Sequence, residues 1–170
     1  MSVDSLSFRR ALGQFASGVT VVTARGADGE PLGLTVSSFC SVSLHPPLVL
    51  VCIDRRSDAN EGLRDTRHFA VSVLSEEQED VSRRFASPGQ DKLEGFAFLE
   101  GRHGLPLVPG ALAHVQCKVH SRHEEGDHFV WVGEVIALAA HPGRPLLYHA
   151  GAYHGLDGAR RGSKPGGDRV

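Results

Sequence analysis

The chain has no GxxxxGK[ST] phosphate loop, no GxGxxG run, no GxSxG elbow and no HExxH pair. P-loop nucleotide hydrolysis, Rossmann-type dinucleotide binding, α/β-hydrolase chemistry and zincin-type proteolysis each need one of these. Cysteine is scarce. Cys40, Cys52 and Cys117 are odd in number, widely spaced and without a CxxC pair, which argues against a zinc knuckle or a thioredoxin-like motif. Cys52 and Cys117 lie in apolar-patterned strands and are expected as buried, reduced thiols. Histidine is plentiful at ten, but not in ligand spacing. His120 and His123 should face opposite sides of a strand, and His149 and His154 flank Gly151, so no metal is expected. A formal charge of −2 offers no basic surface for nucleic acid. No apolar run approaches the roughly 20 residues that span a bilayer. The opening MSVDSLSFRR lacks the basic-then-apolar order of a secretion signal. A cytoplasmic protein is the expectation.

What is present suits one domain. At 170 residues the chain can bury a real core. SLSFRRALGQFAS (5–17) predicts a helix whose stripe is Phe8, Ala11, Leu12 and Phe15, with Ser5 or Ser7 as cap and Gly18 as its end. VTVVTA, the turn GADGEP and GLTVSS predict a hairpin. Pro46-Pro47 breaks regular structure. LVLVCI (48–53) has no polar alternate, so both faces of that strand should be buried. HFAVSVL (68–74) reads as a strand. Ser75 to Gln78 forms a capping-box pattern opening a helix through about Phe85, and 87–95 reads as a loop.

Residues 111–138 predict a long hairpin. Ala113, Val115, Cys117 and Val119 share one face, and His114, Gln116, Lys118 and His120 share a solvated one. The return arm, HFVWVGEVIAL, is apolar on both faces, as befits a barrel strand that also meets a partner subunit. Trp131 reads as core or dimer packing. From about residue 156 the chain turns Gly-rich and polar, so residues 1–155 form the expected domain and 156–170 a flexible tail without a binding role. Many short strands with a few helices predict a mainly β, closed antiparallel barrel.

The stretch GLTVSSFCSVSLHPPLVLVCID (33–54) packs Thr35, Ser37, Ser38, Ser41 and Ser43 against an apolar strand. Small hydroxyls and backbone N–H groups can hold a phosphate or a polar ring without a named motif. They can equally cap a loop through Ser/Thr turns. From the residues alone both readings stand.

In full, the pattern GxTxSSFxSVSLxPPLVLVC resembles the signature of the short-chain NAD(P)H:flavin oxidoreductase family. These are the flavin reductase-like domains that serve two-component flavin-dependent monooxygenases. FRRALGQFASGVTVVTA, HFAVSVLSEEQEDVSRRFA with Asp91-Lys92, GDHFVWVGEV and PLLYHAGAYHGL resemble the family's other segments, in the same order. The resemblance implies a six-stranded antiparallel split β-barrel of Greek-key type that forms a homodimer. It implies flavin, FAD or FMN, at Thr35, Val36, Ser37 and Ser38. Cys52 and Ile53 would lie beside the ring, Arg55 and Ser57 near the phosphate, and Asp91 and Lys92 on a closing loop. Family members often have an aromatic residue where this chain has Leu93. NADH would meet Ser17, Gly18, His128, Tyr153 and His154. His128 is the implied catalytic residue, although it could also simply finish a turn with Asp127.

The reaction implied is hydride transfer from NADH to flavin, chemistry carried by the cofactors themselves. The protein would stack the two rings at roughly 3–3.5 Å and needs no nucleophile. Reduced flavin would pass to a monooxygenase partner. No basic cluster for a 2′-phosphate is visible, which favours NADH. Rival readings are a flavin-binding barrel without turnover, a pyridoxamine-phosphate-oxidase-like enzyme, and an interaction protein.

Overall fold

The computed structural model describes residues 3–57, 59–89 and 91–156, apart from the side chains of Glu61 and Asp91. Helix α1 (Ser5–Leu12) precedes β1 (Ser17–Gly18), β2 (Thr20–Arg25), β3 (Pro31–Val36), β4 (Cys40–Leu44) and β5 (Pro47–Asp54). Then come α2 (Ala59–Leu63), β6 (His68–Val73), α3 (Glu79–Ala86), β7 (Leu99–Glu100) and β8 (Pro106–Leu107). The chain continues through β9 (Ala113–Glu125), β10 (His128–Ala140), β11 (Leu147–His149) and β12 (Ala152–His154).

Seven strands form one antiparallel sheet in the order β3-β2-β6-β9-β10-β5-β4. The sheet has one strand more than the six expected, and β4 is one of its two edges. The curling has a simple cause. β3 and β4 are opposite edges of the sheet, yet only residues 37–39 join them. The four steps from Val36 to Cys40 span at most about 14 Å, so the edges must approach and the sheet closes into a split barrel. Ser38 fastens the split. Its hydroxyl accepts from the Cys52 N–H at 2.9 Å and donates to the Cys52 carbonyl at 3.1 Å. Continuing the Cys40–Leu50 register of β4 on β5 puts Ser38 opposite Cys52. There a side chain replaces the missing ladder pair.

The barrel interior holds Val22, Leu34, Val51, Ile53, Phe69 and Trp131. Trp131 is core: it is 1% exposed and meets Phe69 edge-on at 5.8 Å. Gly133 is required beside them, because a Cβ there would stand 2.5 Å from the Phe69 ring. A second cluster, around Val21, Leu74 and Phe85, lies between the barrel and α3, with Phe96 and Phe98 packed against it.

Several expectations need correction. Helix α1 stops at Leu12, and its cap is Asp4, whose Oδ1 accepts from the N–H groups of Leu6 (3.0 Å) and Ser7 (2.9 Å). Ser17 and Gly18 belong to a strand paired with β11. Ser75 to Gln78 does close on itself, Gln78 Oε1 accepting from the Ser75 N–H at 3.1 Å, but this is a turn and the helix starts at Glu79. The polar face of β9 is buried at its start. Residues 101–108 cover it, so His114 bonds the Val108 carbonyl at 2.8 Å and Gln116 accepts from the Arg102 N–H at 2.6 Å. β5 and β10 are buried on one face and only half-covered on the other within one chain. Residues 157–170 of the expected tail lie outside the described residues. Among the described residues no helix is long and apolar enough to cross a membrane.

Candidate active site

A cavity of about 660 Å³ opens where the barrel splits, within the roughly 300–1,000 Å³ range of ligand pockets. The end of β3 supplies Leu34, Thr35 and Val36, and the crossing segment supplies Ser37 and Ser38. β5 gives Cys52 and Asp54, and the turn after it Arg56 and Ser57. α3 and its exit give Phe85, Ala86, Ser87 and Pro88. Lys92 and His128 complete the wall.

The hydroxyls divide by task. Thr35 Oγ1 donates to the Ser82 carbonyl at 2.7 Å, tying β3 to α3, and Ser38 holds the split. The hydroxyls of Ser37 and Ser57 have no protein partner among the described residues, nor have the N–H groups of Ser37, Ser38 and Phe39. The backbone of this crossing segment joins neither edge ladder, and Ser37 and Ser38 leave their N–H donors at the cavity wall.

Charge is placed by short local bonds. Asp54 accepts from the Arg56 N–H at 2.8 Å and from its guanidinium at 2.8 and 3.2 Å, a fork geometry. These bonds from Arg56 hold the Asp54 carboxyl well below its ordinary range. His128 faces Asp54 across the β5–β10 ladder. Its Nδ1 lies 2.7 Å from Asp127 Oδ1. A carboxylate only accepts, so Nδ1 carries the proton and Nε2 is left for a ligand. That bond lowers the Asp127 pKa. Lys92 is buried, and its Nζ donates to the Ser87 carbonyl at 3.2 Å. Arg84 anchors the same loop, donating to the carbonyls of Lys92 (2.6 Å) and Glu94.

A smaller hollow of about 190 Å³ adjoins, sharing Thr35, Ser37 and Ala86 and closed by Tyr148 and Tyr153. The Tyr153 hydroxyl is 2.9 Å from Ser82 Oγ, and the Arg83 guanidinium lies 4.9 Å over its ring.

Of the residues singled out in the sequence, Thr35, Val36, Ser37, Ser38, Cys52, Ser57, Lys92 and His128 line the main cavity, and Tyr153 lines the adjoining hollow. Cys52 is half-buried there, whereas Cys117 is the buried thiol, its pKa pushed up to about 12 by burial. Ile53 does not line the cavity. Strand alternation turns it inward, fully buried, while Cys52 and Asp54 face out. Arg55 faces away for the same reason, and Arg56 takes the place expected for it. Ser17 and Gly18 pair with Tyr148 and Leu147, behind the tyrosines. His154 is exposed, 6.0 Å from His149. The Asp91 side chain lies outside the described residues. Leu34, Asp54, Arg56 and 85–88 are the main-cavity lining residues not anticipated. The Ser-Pro-Gly stop after α3 signals a turn, but not which way the turn faces.

The flavin reductase-like domain profile matches residues 12–157. The chain belongs to this family. The flavin reductase-like domain thus takes in all the cavity-lining residues. The reductase subunit HsaB of a flavin-dependent monooxygenase from Mycobacterium tuberculosis is 41% identical, over 91% of this chain and 84% of that one. The FMN reductase (NADH) SmoA of Agrobacterium fabrum is 43% identical, over 88% and 85%. Among solved structures, the NADH:FAD oxidoreductase SgcE6 of Streptomyces globisporus, in complex with NAD and FAD fragments, superposes with a TM-score of 0.82 at 40% identity, covering 95% of this chain and 94% of that one.

Proposed function

We propose that this protein is an NADH-dependent flavin reductase that reduces FAD or FMN and supplies reduced flavin to a partner monooxygenase component. The observation that carries the reading is the pair of backbone donors at Ser37 and Ser38, unpaired among the described residues, in the wall of a cavity also lined by Lys92, Arg56 and His128. This donor set fits a flavin, whose ring edge is rich in acceptors and whose chain ends in phosphate. Relatives named as FMN reductase (NADH) and as NADH-dependent FAD reductase support the same reading.

When bound, flavin supplies the electron-accepting ring to which NADH delivers a hydride. The protein's part is to position and to stabilise. The N–H groups of Ser37 and Ser38 and the Ser37 hydroxyl would hold acceptors of the flavin ring, in the manner of an oxyanion hole. The Ser57 hydroxyl and Arg56 would take the phosphate end. Lys92, braced on Ser87, closes the far wall. Tyr153, fixed by Ser82, lines a hollow that would take the nicotinamide. His128, oriented by Asp127, would offer Nε2 to the carboxamide.

The exposed apolar side chains Phe8, Leu12 and Phe15 after and along α1, Val42 and Leu44 on β4, and Leu138 on β10 support a homodimer. Dependence on NADH would suit a cytoplasmic enzyme.

The test is NADH oxidation by the purified protein without flavin, with FAD and with FMN. Turnover that requires added flavin is expected. Flavin binding without turnover would sink the reductase reading in favour of a carrier. His128→Ala should raise the KM for NADH while flavin affinity holds; an unchanged KM and kcat would remove His128 from the site.

A further inference from the structure

Beyond Arg56 and Ser57, which it shares with the main cavity, lies a second hollow of about 440 Å³. Arg55, Asn60, Arg64, Glu124 and Phe129 line the rest of it. Three guanidinium groups thus meet in one concavity, a cluster that the sequence reading did not anticipate because Arg64 comes from a different element.

Two of the three are balanced. Arg56 is forked onto Asp54. Arg55 lies 3.7 Å from Glu124, bonds the Gly126 carbonyl at 3.4 Å, and sits 5.4 Å over the Phe129 ring. Arg64 has no hydrogen bond or ion pair among the described residues, and the Ser57 hydroxyl is also unpaired. Asn60 gives its Nδ2 to the Arg55 carbonyl at 3.1 Å, leaving Oδ1 to accept. Among the described residues the hollow therefore offers a guanidinium without a counter-ion and a hydroxyl donor for an anion. It also offers an amide acceptor and a guanidinium–aromatic stack for a planar base.

Resting on the flavin reductase reading, we propose that this hollow holds the diphosphate and adenosine of a flavin dinucleotide. Arg64 is then the specificity-determining cation that favours FAD over FMN. The position decides between candidate anions. The hollow continues from Ser57 and Arg56, at the flavin phosphate end. The hollow closed by Tyr148 and Tyr153 instead joins the main cavity through Thr35, Ser37 and Ala86 and shares no lining residue with the arginine hollow. A 2′-phosphate on the nicotinamide nucleotide is therefore the less suited occupant.

The test is titration of the flavin-free protein with FAD and with FMN, followed by flavin fluorescence, for the wild type and Arg64→Gln. The Arg64 side chain makes no hydrogen bond or ion pair among the described residues, so Arg64→Gln removes none of the described bonds, and an unchanged thermal melt of the variant checks its fold. Wild type should bind FAD about tenfold or more tightly than FMN, and Arg64→Gln should remove most of that margin, the scale of one charge-assisted hydrogen bond. FMN affinity should stay within about twofold, because Arg64 does not line the main cavity. ADP should displace FAD but not FMN. Equal affinities in the wild type, or equal weakening of both flavins, would overturn the proposal. So would an effect confined to the KM for NADPH, which would assign Arg64 to a 2′-phosphate. Undiminished NADH turnover with FMN and no FAD preference sinks this proposal alone. Absence of turnover with either flavin sinks it together with the reductase reading.

Discussion

Ser37 and Ser38 are neighbours with the same side chain, and the structure gives them opposite work. Replacing each with alanine separates the two. Ser38→Ala removes two hydrogen bonds to the Cys52 backbone, at 2.9 and 3.1 Å, across the split of the barrel. Each is worth about 0.5–1.5 kcal/mol net. Ser38 is exposed, so water partly replaces the lost hydroxyl, and the lower half of the range applies. The expected loss is about 1–2 kcal/mol, or a fall in Tm of about 2–8 °C for a domain of this size. Ser37→Ala removes a hydroxyl with no protein partner and should leave stability within about 0.5 kcal/mol. It should instead weaken flavin binding severalfold. Urea and thermal melts of the flavin-free proteins, followed by flavin titration, read both quantities. The reverse pattern, with Ser38→Ala stable but poor at binding flavin, would refute the view that its hydroxyl closes the barrel.

Gly133→Ala would drive a methyl to within 2.5 Å of the Phe69 ring and 2.7 Å of Cys117 Cβ; a loss of about 1–3 kcal/mol is expected from overpacking, read as a lower urea midpoint at unchanged slope. Thiol labelling should proceed in the order Cys40, Cys52, Cys117, following their exposed, half-buried and buried positions. Bound flavin should protect Cys52 alone, because only that thiol lines the cavity. Burial raises the Cys117 pKa from 9.0 to about 12, so the folded state keeps this thiol neutral. Its contribution to stability is full below pH 9 and is lost as pH climbs toward 12 and the unfolded chain ionises. Melts across that alkaline range, compared with Cys117→Ala, check the sign.

Much of the fold follows from local pattern. Period-2 alternation marks β9, apolar residues on both faces mark β5 and β10, and the GADGEP turn marks the β2–β3 hairpin, because side-chain direction and turn chemistry act between neighbours in the chain. The same is true of Thr35, Ser37, Ser38, Ser57, Lys92 and His128, whose segments carry the family resemblance. Where neighbours in space decide, local pattern misleads. His114 and Gln116 read as solvated because alternation cannot show that residues 101–108 fold over them. The α1 cap fell to Asp4 rather than a serine because either residue type can cap, and only the entry angle of the chain selects one.

The sequence by itself determined the antiparallel strands, the small-hydroxyl stretch and the absence of any nucleophile or metal motif, since these depend on residue type and spacing. Only the tertiary structure decided that Ser38 bonds the protein while Ser37 is left for a ligand. It likewise decided that Arg56 rather than Arg55 faces the cavity, that Ile53 belongs to the core, and that Arg64 joins two other arginines in one hollow. The reason is the same in each case. A three-residue bridge between the two edges of the sheet forces the barrel to close, and that closure sets which way each side chain points.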